Sequence, residues 1–138
     1  MKTRFSTLDD EDLNLFDFKV VGISCHLKDY KLCWLLNKTL HLNLVKKNAD
    51  IEFVSKQGAS HHSVFVYKNE DEFTCVSLIK NRSEGLLINE LPGVDYFLKL
   101  EGQINDEKLI KKLESMEEIL AVFSVDVNTL KSKENFIL

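Results

Sequence analysis

Apolar side chains recur along this chain at two different spacings, and the changes in spacing predict its elements. Residues 16–23 alternate between apolar and polar and then become continuously apolar, as a strand entering a core does. Over residues 29–40 the apolar positions lie three and four residues apart, which predicts a helix capped at its start by Asp29. The buried stripe of this helix would consist of Leu32, Cys33, Leu36 and Leu40, with Leu35 beside it.

The middle of the chain has an apolar period of two. Its short apolar runs predict strands, and the segments between them are rich in Gly, Asn, Asp and Ser, which favour turns. Because connections this short join neighbouring antiparallel strands, residues 51–90 are expected to form a meander. The predicted strands are residues 51–54, 64–67, 73–79 and 86–88.

The last third of the chain alternates again, becomes helical and then returns to a strand. Residues 96–101 have apolar side chains at every second position, which predicts a strand. Asn105 or Asp106 would cap the helix that follows, and residues 122–127 would form the next strand. The buried face of that helix would consist of Leu109, Ile110, Leu113 and Met116.

Two strand–helix–strand units, residues 16–54 and residues 96–127, therefore bracket the meander. This arrangement predicts an α+β fold with a mainly antiparallel sheet of six or seven strands and two helices packed on one face. It corresponds to a ferredoxin-like plan with added meander strands. Residues 1–14 are expected to be an acidic, mobile lead-in, residues 15–128 a single α+β domain and residues 129–138 a C-terminal tail.

The composition fits one folded domain and argues against several classes of function. The chain has 138 residues, of which 44% are hydrophobic, and its formal net charge is -4. No apolar run approaches the roughly 18 residues that span a bilayer, and the N-terminus lacks a secretory signal, so a cytoplasmic protein without a membrane partner is expected. Only Arg4 and Arg82 supply the paired donors that favour phosphate recognition, which argues against direct nucleic-acid binding.

The cysteines and histidines do not form a metal-binding pattern. Cys25, Cys33 and Cys75 show no paired spacing, so reduced thiols in an intracellular protein are expected. His61 and His62 could bind zinc together with a cysteine, but adjacent residues on a strand face opposite sides and would not readily share one ion. We therefore expect neither a metal site nor a cofactor.

The segment 86–96 is the most distinctive stretch of the sequence. It combines an apolar run, the chain's one proline and an acid–aromatic pair that opens the next strand. Ile88 and Glu90, followed at the family spacing by Val94-Asp95-Tyr96, resemble the signature of the IPExxxVDY family of small bacterial proteins. Asn89 stands where that family has proline. The motif reads Ile88-Asn89-Glu90-Leu91-Pro92-Gly93-Val94-Asp95-Tyr96.

The resemblance implies a cytoplasmic bacterial protein from a family without an assigned activity. Residues 22–24 and 29–37 also resemble the family's first strand and helix, so the likeness extends in outline over most of residues 18–100. Genes of the family often lie near genes for ribonuclease III and for fatty-acid synthesis, which implies an association and no mechanism.

Glu90 and Asp95 flank the motif turn and form the one carboxylate pair that we consider for acid–base chemistry. Such a pair at a strand end could divide into a general acid and a general base, and Tyr30 or Tyr96 could orient a substrate. In the structural alternative, Asp95 accepts backbone N–H bonds of the turn and Glu90 is solvated. The sequence favours this alternative, because no nucleophile or phosphate-binding loop lies nearby.

Three apolar features could serve either internal packing or a partner. Trp34 is expected to pack in the core or cover its edge rather than to anchor a partner. Leu8, Leu13 and Leu15 punctuate the acidic lead-in, and residues 136–138 are an apolar tripeptide after a polar stretch. Each of these two segments is expected to dock on its own domain rather than on another protein.

These observations favour a non-enzymatic interaction module that binds a protein partner or self-associates through an exposed sheet edge or face. The alternative is a small enzyme or ligand-binding domain whose site lies at the Glu90–Asp95 turn, with Tyr96 and Tyr30. A third alternative, an RNA-associated accessory protein, follows from the gene neighbourhood of the family and is disfavoured by the acidic, arginine-poor composition.

Overall fold

Residues 16–138 are the part of the chain that the computed structural model describes. Eight strands and two helices follow one another along these residues, with two short 3-10 turns after the last strand. The helices are α1 (Asp29–Leu40) and α2 (Asp106–Glu114). The strands are β1 (Lys19–Cys25), β2 (Val45–Lys46), β3 (Ile51–Ser55), β4 (Gly58–His62), β5 (Val64–Asn69), β6 (Thr74–Lys80), β7 (Tyr96–Glu101) and β8 (Ile119–Val125).

Six strands form the main sheet in the order β2-β5-β6-β7-β1-β8, and every neighbouring pair is antiparallel. β1 lies between β7 and β8, so the two strands that α2 connects are parallel and separated by one strand. The connection that contains α1 leads from β1 to β2, which lies at the far edge of the sheet on the other side of β7. The α+β class, the mainly antiparallel six-stranded sheet and the ferredoxin-like plan with added strands are confirmed.

The hairpin of β3 and β4 leaves the main sheet and forms a two-stranded sheet of its own. Residues 51–54 therefore do not complete a strand–helix–strand unit with β1, and the predicted continuous meander is wrong at this point. β4 is a polar strand, which a search for alternating apolar residues does not detect. Ser63 alone separates β4 from β5, and its hydroxyl donates to Asp29 at 2.7 Å, which ties the crossing point to α1.

Residues 86–88 are buried mainly at their last two positions, but they do not form the predicted strand. The backbone N–H groups of Leu87 and Ile88 donate to the backbone and side-chain oxygens of Asn81 at 3.0 and 2.8 Å. These bonds replace those that a neighbouring strand would provide, because buried backbone groups need a partner of some kind. A hydrophobic run typical of a strand therefore belongs to an irregular loop.

The two helices cover one face of the main sheet, as predicted. Leu32, Cys33 and Leu36 of α1 and Leu113 of α2 are buried in a core shared with β1, β6 and β7. Asn105 caps α2 as predicted, since its side chain accepts a hydrogen bond from the backbone N–H three residues later at 3.0 Å. The helical stripes read from the sequence therefore define this core correctly.

Two details of α1 differ from the prediction. Lys28 is the N-cap residue, and Asp29 is instead the first residue of the helix, where its carboxylate accepts the bond from Ser63. Trp34 is 63% exposed rather than part of the core, and the Lys38 ammonium lies 5.1 Å from its ring. Because Trp34 lies two positions after a buried leucine, helical geometry turns it away from the sheet.

The opposite face of the sheet carries a second core, to which the loop before β7, the β3–β4 hairpin and the C-terminal residues contribute. Phe136 is fully buried there, with its ring centroid 5.0 Å from that of Phe97 and 6.2 Å from that of Phe18. The predicted docking of the C-terminal tail on its own domain is confirmed for Phe136. Ile137 and Leu138 are exposed.

The acidic lead-in, residues 1–14, lies outside the described residues together with Leu15. The predicted docking of its leucines therefore stays a prediction. Within residues 16–138, neither helix is long and apolar enough to cross a membrane.

Candidate functional site

Asp95 of the motif binds the backbone at the end of β1. Its Oδ2 accepts a hydrogen bond from the Cys25 N–H at 2.9 Å, and its own N–H donates to the Ile23 carbonyl at 2.9 Å. The Arg82 guanidinium lies 3.5 Å from the other carboxylate oxygen and also donates to the Pro92 carbonyl. The carboxylate therefore fixes the motif turn to β1.

Glu90 binds a different part of the chain. Its two carboxylate oxygens accept hydrogen bonds from the Ser132 backbone N–H at 2.9 Å and from the Ser132 hydroxyl at 2.7 Å. Although partial burial raises the pKa of Glu90, these bonds outweigh it and hold the pKa below its ordinary value. Glu90 thus attaches the C-terminal residues to the motif loop.

The two tyrosines proposed as site residues differ in burial. Tyr96 is buried on β7, its hydroxyl donates to the Leu27 carbonyl at 2.6 Å, and burial raises the pKa of its phenol. Tyr30 is exposed on α1 and lines a cavity with Trp34. Asp95 and Tyr96 both bind the backbone between Cys25 and Leu27, whereas Glu90 binds Ser132 and Tyr30 is exposed on α1. The geometry therefore does not gather all four residues into one site.

Asn81 organises the motif loop, although the sequence analysis did not single it out. It is fully buried, and its side-chain amide donates to the Leu91 carbonyl at 3.0 Å and to the Val94 carbonyl at 2.7 Å. Its Oδ1 accepts from the Ile88 N–H. A single asparagine therefore satisfies three backbone groups of the loop, and only its position between a strand and a glycine-containing turn could have hinted at this.

Ser60 and His62 form a hydrogen-bonded pair that resembles a nucleophile and its base. The Ser60 hydroxyl lies 2.7 Å from His62 Nε2, and His62 Nδ1 lies 3.0 Å from the Lys80 carbonyl oxygen. Both side chains are buried, however, and Gly85 packs directly over Ser60. Burial lowers the pKa of His62. The pair joins β4 to the end of β6, and its nucleophile is closed to a substrate.

His61 faces the opposite side of β4 from His62, as expected for adjacent strand residues. Its ring lies between Glu52 at 3.1 Å and Glu84 at 3.4 Å. Within the described part of the chain, no three side chains of the metal-binding types gather closely enough to hold an ion.

The open edge of the main sheet is β8. This strand has seven residues, Ile-Leu-Ala-Val-Phe-Ser-Val, and none of them is charged. Leu120 and Phe123 are 61% and 42% exposed. Among residues 16–138, no strand pairs with the outer side of β8, so alternate backbone N–H and C=O groups point away from the sheet.

The other edge of the sheet differs in length and charge. β2 has only two residues, includes Lys46 and is followed by Lys47. Short edge strands and lysines are ordinary protections against edge-to-edge pairing, and β8 lacks both. The sequence predicts a strand at residues 122–127. That this strand lies at the edge of the sheet follows from the order of the strands, which local sequence patterns do not reveal.

These features define an α+β protein whose main sheet has one protected edge and one open, uncharged edge. No protein-family model matches the chain, and no curated protein matches it either. The resemblance to the IPExxxVDY family therefore stays a prediction.

Proposed function

We propose that this chain is a non-enzymatic interaction module that self-associates through β8. The observation that carries the proposal is the uncharged, seven-residue edge strand with its exposed Leu120 and Phe123. No strand of residues 16–138 pairs with its outer side. Backbone groups at such an edge form hydrogen bonds with any strand that aligns with them. A second copy of the chain offers the same strand, and antiparallel pairing around a two-fold axis uses it on both sides.

The charges that flank β8 select the register of this pairing. An axis through Val122 would place Glu118 of one copy opposite Asp126 of the other, at both ends of the paired strands. Like charges directly opposite each other destabilise a strand pair. An axis through Phe123 places Asp126 opposite Leu120 instead and brings the two Phe123 rings side by side, so we propose this second register.

Sedimentation velocity of the full chain over a wide concentration range tests the proposal. We expect the wild-type chain to dimerise and Phe123→Glu to be monomeric, because this variant places two carboxylates on the axis. Phe123 is partly packed, so Ser124→Lys, which adds charge at an exposed position, is a second variant with the same expected result. Val45→Glu on the opposite edge is the matched control and should dimerise like the wild type.

Two outcomes would contradict this function. A chain that is monomeric at every concentration, or a dimer that neither β8 variant weakens, would show that β8 is not the self-association surface. A tagged pull-down with and without nuclease then separates the remaining alternatives, a protein partner and RNA association. We also propose a cytoplasmic location, which the three free cysteines support.

A further inference from the structure

Strands β5, β6 and β7 change from apolar to polar along the face opposite the helices. Val64, Ile79 and Phe97 lie in one row across these strands and are buried in the second core. Two residues away, the next row consists of Val66, Ser77 and Lys99. The row after that consists of Lys68, Cys75 and Glu101. A polar patch therefore occupies half of a sheet face whose other half is a dry core.

Lys99 is a buried charge in the middle of this patch. Its side chain is only 7% exposed, and its ammonium lies 4.6 Å from the Phe18 ring centroid and 3.8 Å from Glu101 Oε1. A separation of 3.8 Å is too long for a hydrogen bond, so within residues 16–138 the ammonium retains donors for a further acceptor. Because a buried charge is costly unless it is paired, an anionic group of a ligand would complete its set of contacts.

Phe73, in the turn between β5 and β6, adds an exposed aromatic ring at the rim of the same patch. Its φ is +54°, in the left-handed region that bulky residues rarely adopt, and the residue is 86% exposed. The turn is packed so closely on the β7–α2 connection that a Cβ at Gly102 would collide with the Phe73 carbonyl oxygen. Backbone strain that the surrounding structure enforces is concentrated at ligand sites.

These residues line one cavity of about 660 Å³, a volume typical of small-molecule sites. We infer that it binds a small organic carboxylate with a planar apolar body, which would place the carboxylate at Lys99 and the planar part against Phe73. Three positive and two negative side chains line the cavity, a balance that suits a single negative charge. They are Lys47, Lys68, Lys99, Glu70 and Glu101. The inference does not depend on the self-association of β8.

Amide shifts of the ¹⁵N-labelled full chain test the inference, with 2-naphthoate as the probe and neutral 2-naphthalenemethanol as its analogue. We expect 2-naphthoate to shift the amide signals of Cys75, Ser77 and Lys99 saturably, and the alcohol to bind about tenfold more weakly. Lys99→Met keeps the length of the side chain and removes the ammonium, so it should weaken 2-naphthoate binding about tenfold.

Lys46→Met is the matched control, because Lys46 is an exposed lysine on β2 outside the cavity lining. It should bind 2-naphthoate as the wild type does. Since Lys99 is buried, the exposed rim variant Lys68→Met provides a second measurement and should weaken binding about threefold. Equal binding of acid and alcohol, unchanged binding by Lys99→Met and Lys68→Met, or shifts confined to other parts of the molecule would each overturn the inference.

Discussion

The two faces of the main sheet are both covered, but in different ways. On one face, α1 and α2 present regular apolar stripes to the strands, and the helices satisfy their own backbone groups. On the other face, the cover is a loop, a hairpin whose two strands pair with each other, and the C-terminal residues. Polar side chains bind several backbone groups of the loop and of the C-terminal residues. The bonds that Asn81, Glu90 and Asn135 form with backbone groups are examples.

This difference shows how an irregular segment can serve as one half of a core. A loop that covers a sheet must bury its apolar side chains without leaving buried N–H and C=O groups unpaired. Here side chains perform the task that a helix performs through its own hydrogen bonds. The stability of the second core should therefore depend more strongly on a few polar side chains than the stability of the first core does.

The largest predicted effect tests whether the second core contributes as much to the free energy of unfolding as the first core does. Phe136→Ala should lower the free energy of unfolding by about 4 kcal/mol, because it removes a fully buried ring from contact with Phe97. Leu36→Ala on the helix face should cost a comparable amount, roughly 3 kcal/mol. Urea denaturation measures both.

Ile137→Ala is the control for this pair, and an exposed residue of this kind should change stability by less than about 0.5 kcal/mol. Deletion of residues 131–138 should lower the thermal midpoint still more than Phe136→Ala. An unchanged midpoint after the deletion would show that the C-terminal residues contribute nothing to the second core.

Asn81→Ala should have the next largest effect, a loss of about 3 kcal/mol. The substitution leaves the Leu91 and Val94 carbonyls and the Ile88 N–H without their side-chain partner. Asn69→Ala, at the end of β5 where the side chain forms only exposed bonds with Glu72, is the matched control and should cost much less. Equal losses in the two variants, measured by urea denaturation, would mean that the loop satisfies its backbone groups by some other route.

The helix face could be predicted from the sequence because its rules are local. Spacings of three and four place Leu32, Leu36 and Leu113 in the core, and residue type limits the cap of α2 to Asn105 or Asp106, of which the structure has Asn105. The error at Trp34 has the same origin. Its size was given more weight than its position, although helical geometry turns that position toward solvent.

The loop face could not be predicted because its rules are not local. Leu87 and Ile88 look like a strand, and the bonds that show why they are not one come from Asn81, seven residues before Ile88 and across an irregular turn. Likewise, period two revealed β8 as a strand, but its open edge follows from the order of all six strands. The Glu90–Asp95 pair lay in the most distinctive motif, yet its two carboxylates bind the chain itself at separate places.

Tyr96→Phe tests one polar contact on the helix face and should cost about 1 kcal/mol. The substitution removes a hydroxyl that donates to the Leu27 carbonyl at 2.6 Å and leaves the buried ring in place. Tyr30→Phe is the control, because Tyr30 is exposed on α1. A loss as large as that of Asn81→Ala would contradict the view that polar bonds matter less on this face.

His61 gives the smallest effect, because its contacts on the loop face are exposed to solvent. The neighbouring carboxylates raise its pKa, first through Glu84 and then through Glu52. Bonds from the His61 N–H and from the Ser83 hydroxyl lower the pKa of Glu84 to about 2. These groups join the β3–β4 hairpin to the loop before β7, and salt screens exposed contacts of this kind.

The signs of these two shifts set the pH range in which the hairpin is held most firmly. A raised pKa means that the contribution of His61 is complete below its unfolded value of 6.5 and is lost as the pH rises through the folded value. The contribution of Glu84 is present above 4.5 and is lost as the pH falls toward 2. The urea midpoint of the wild type, relative to that of His61→Gln, should therefore fall slightly between about pH 6 and about pH 8, because the buried His62, whose pKa is lowered, contributes equally to both proteins. His26→Gln, in the exposed β1–α1 connection, should keep the wild-type profile. Identical profiles for all three proteins would mean that the His61 contacts do not help to hold the hairpin, which the packing of Ile51 and Phe53 and the His62–Lys80 bond would then hold.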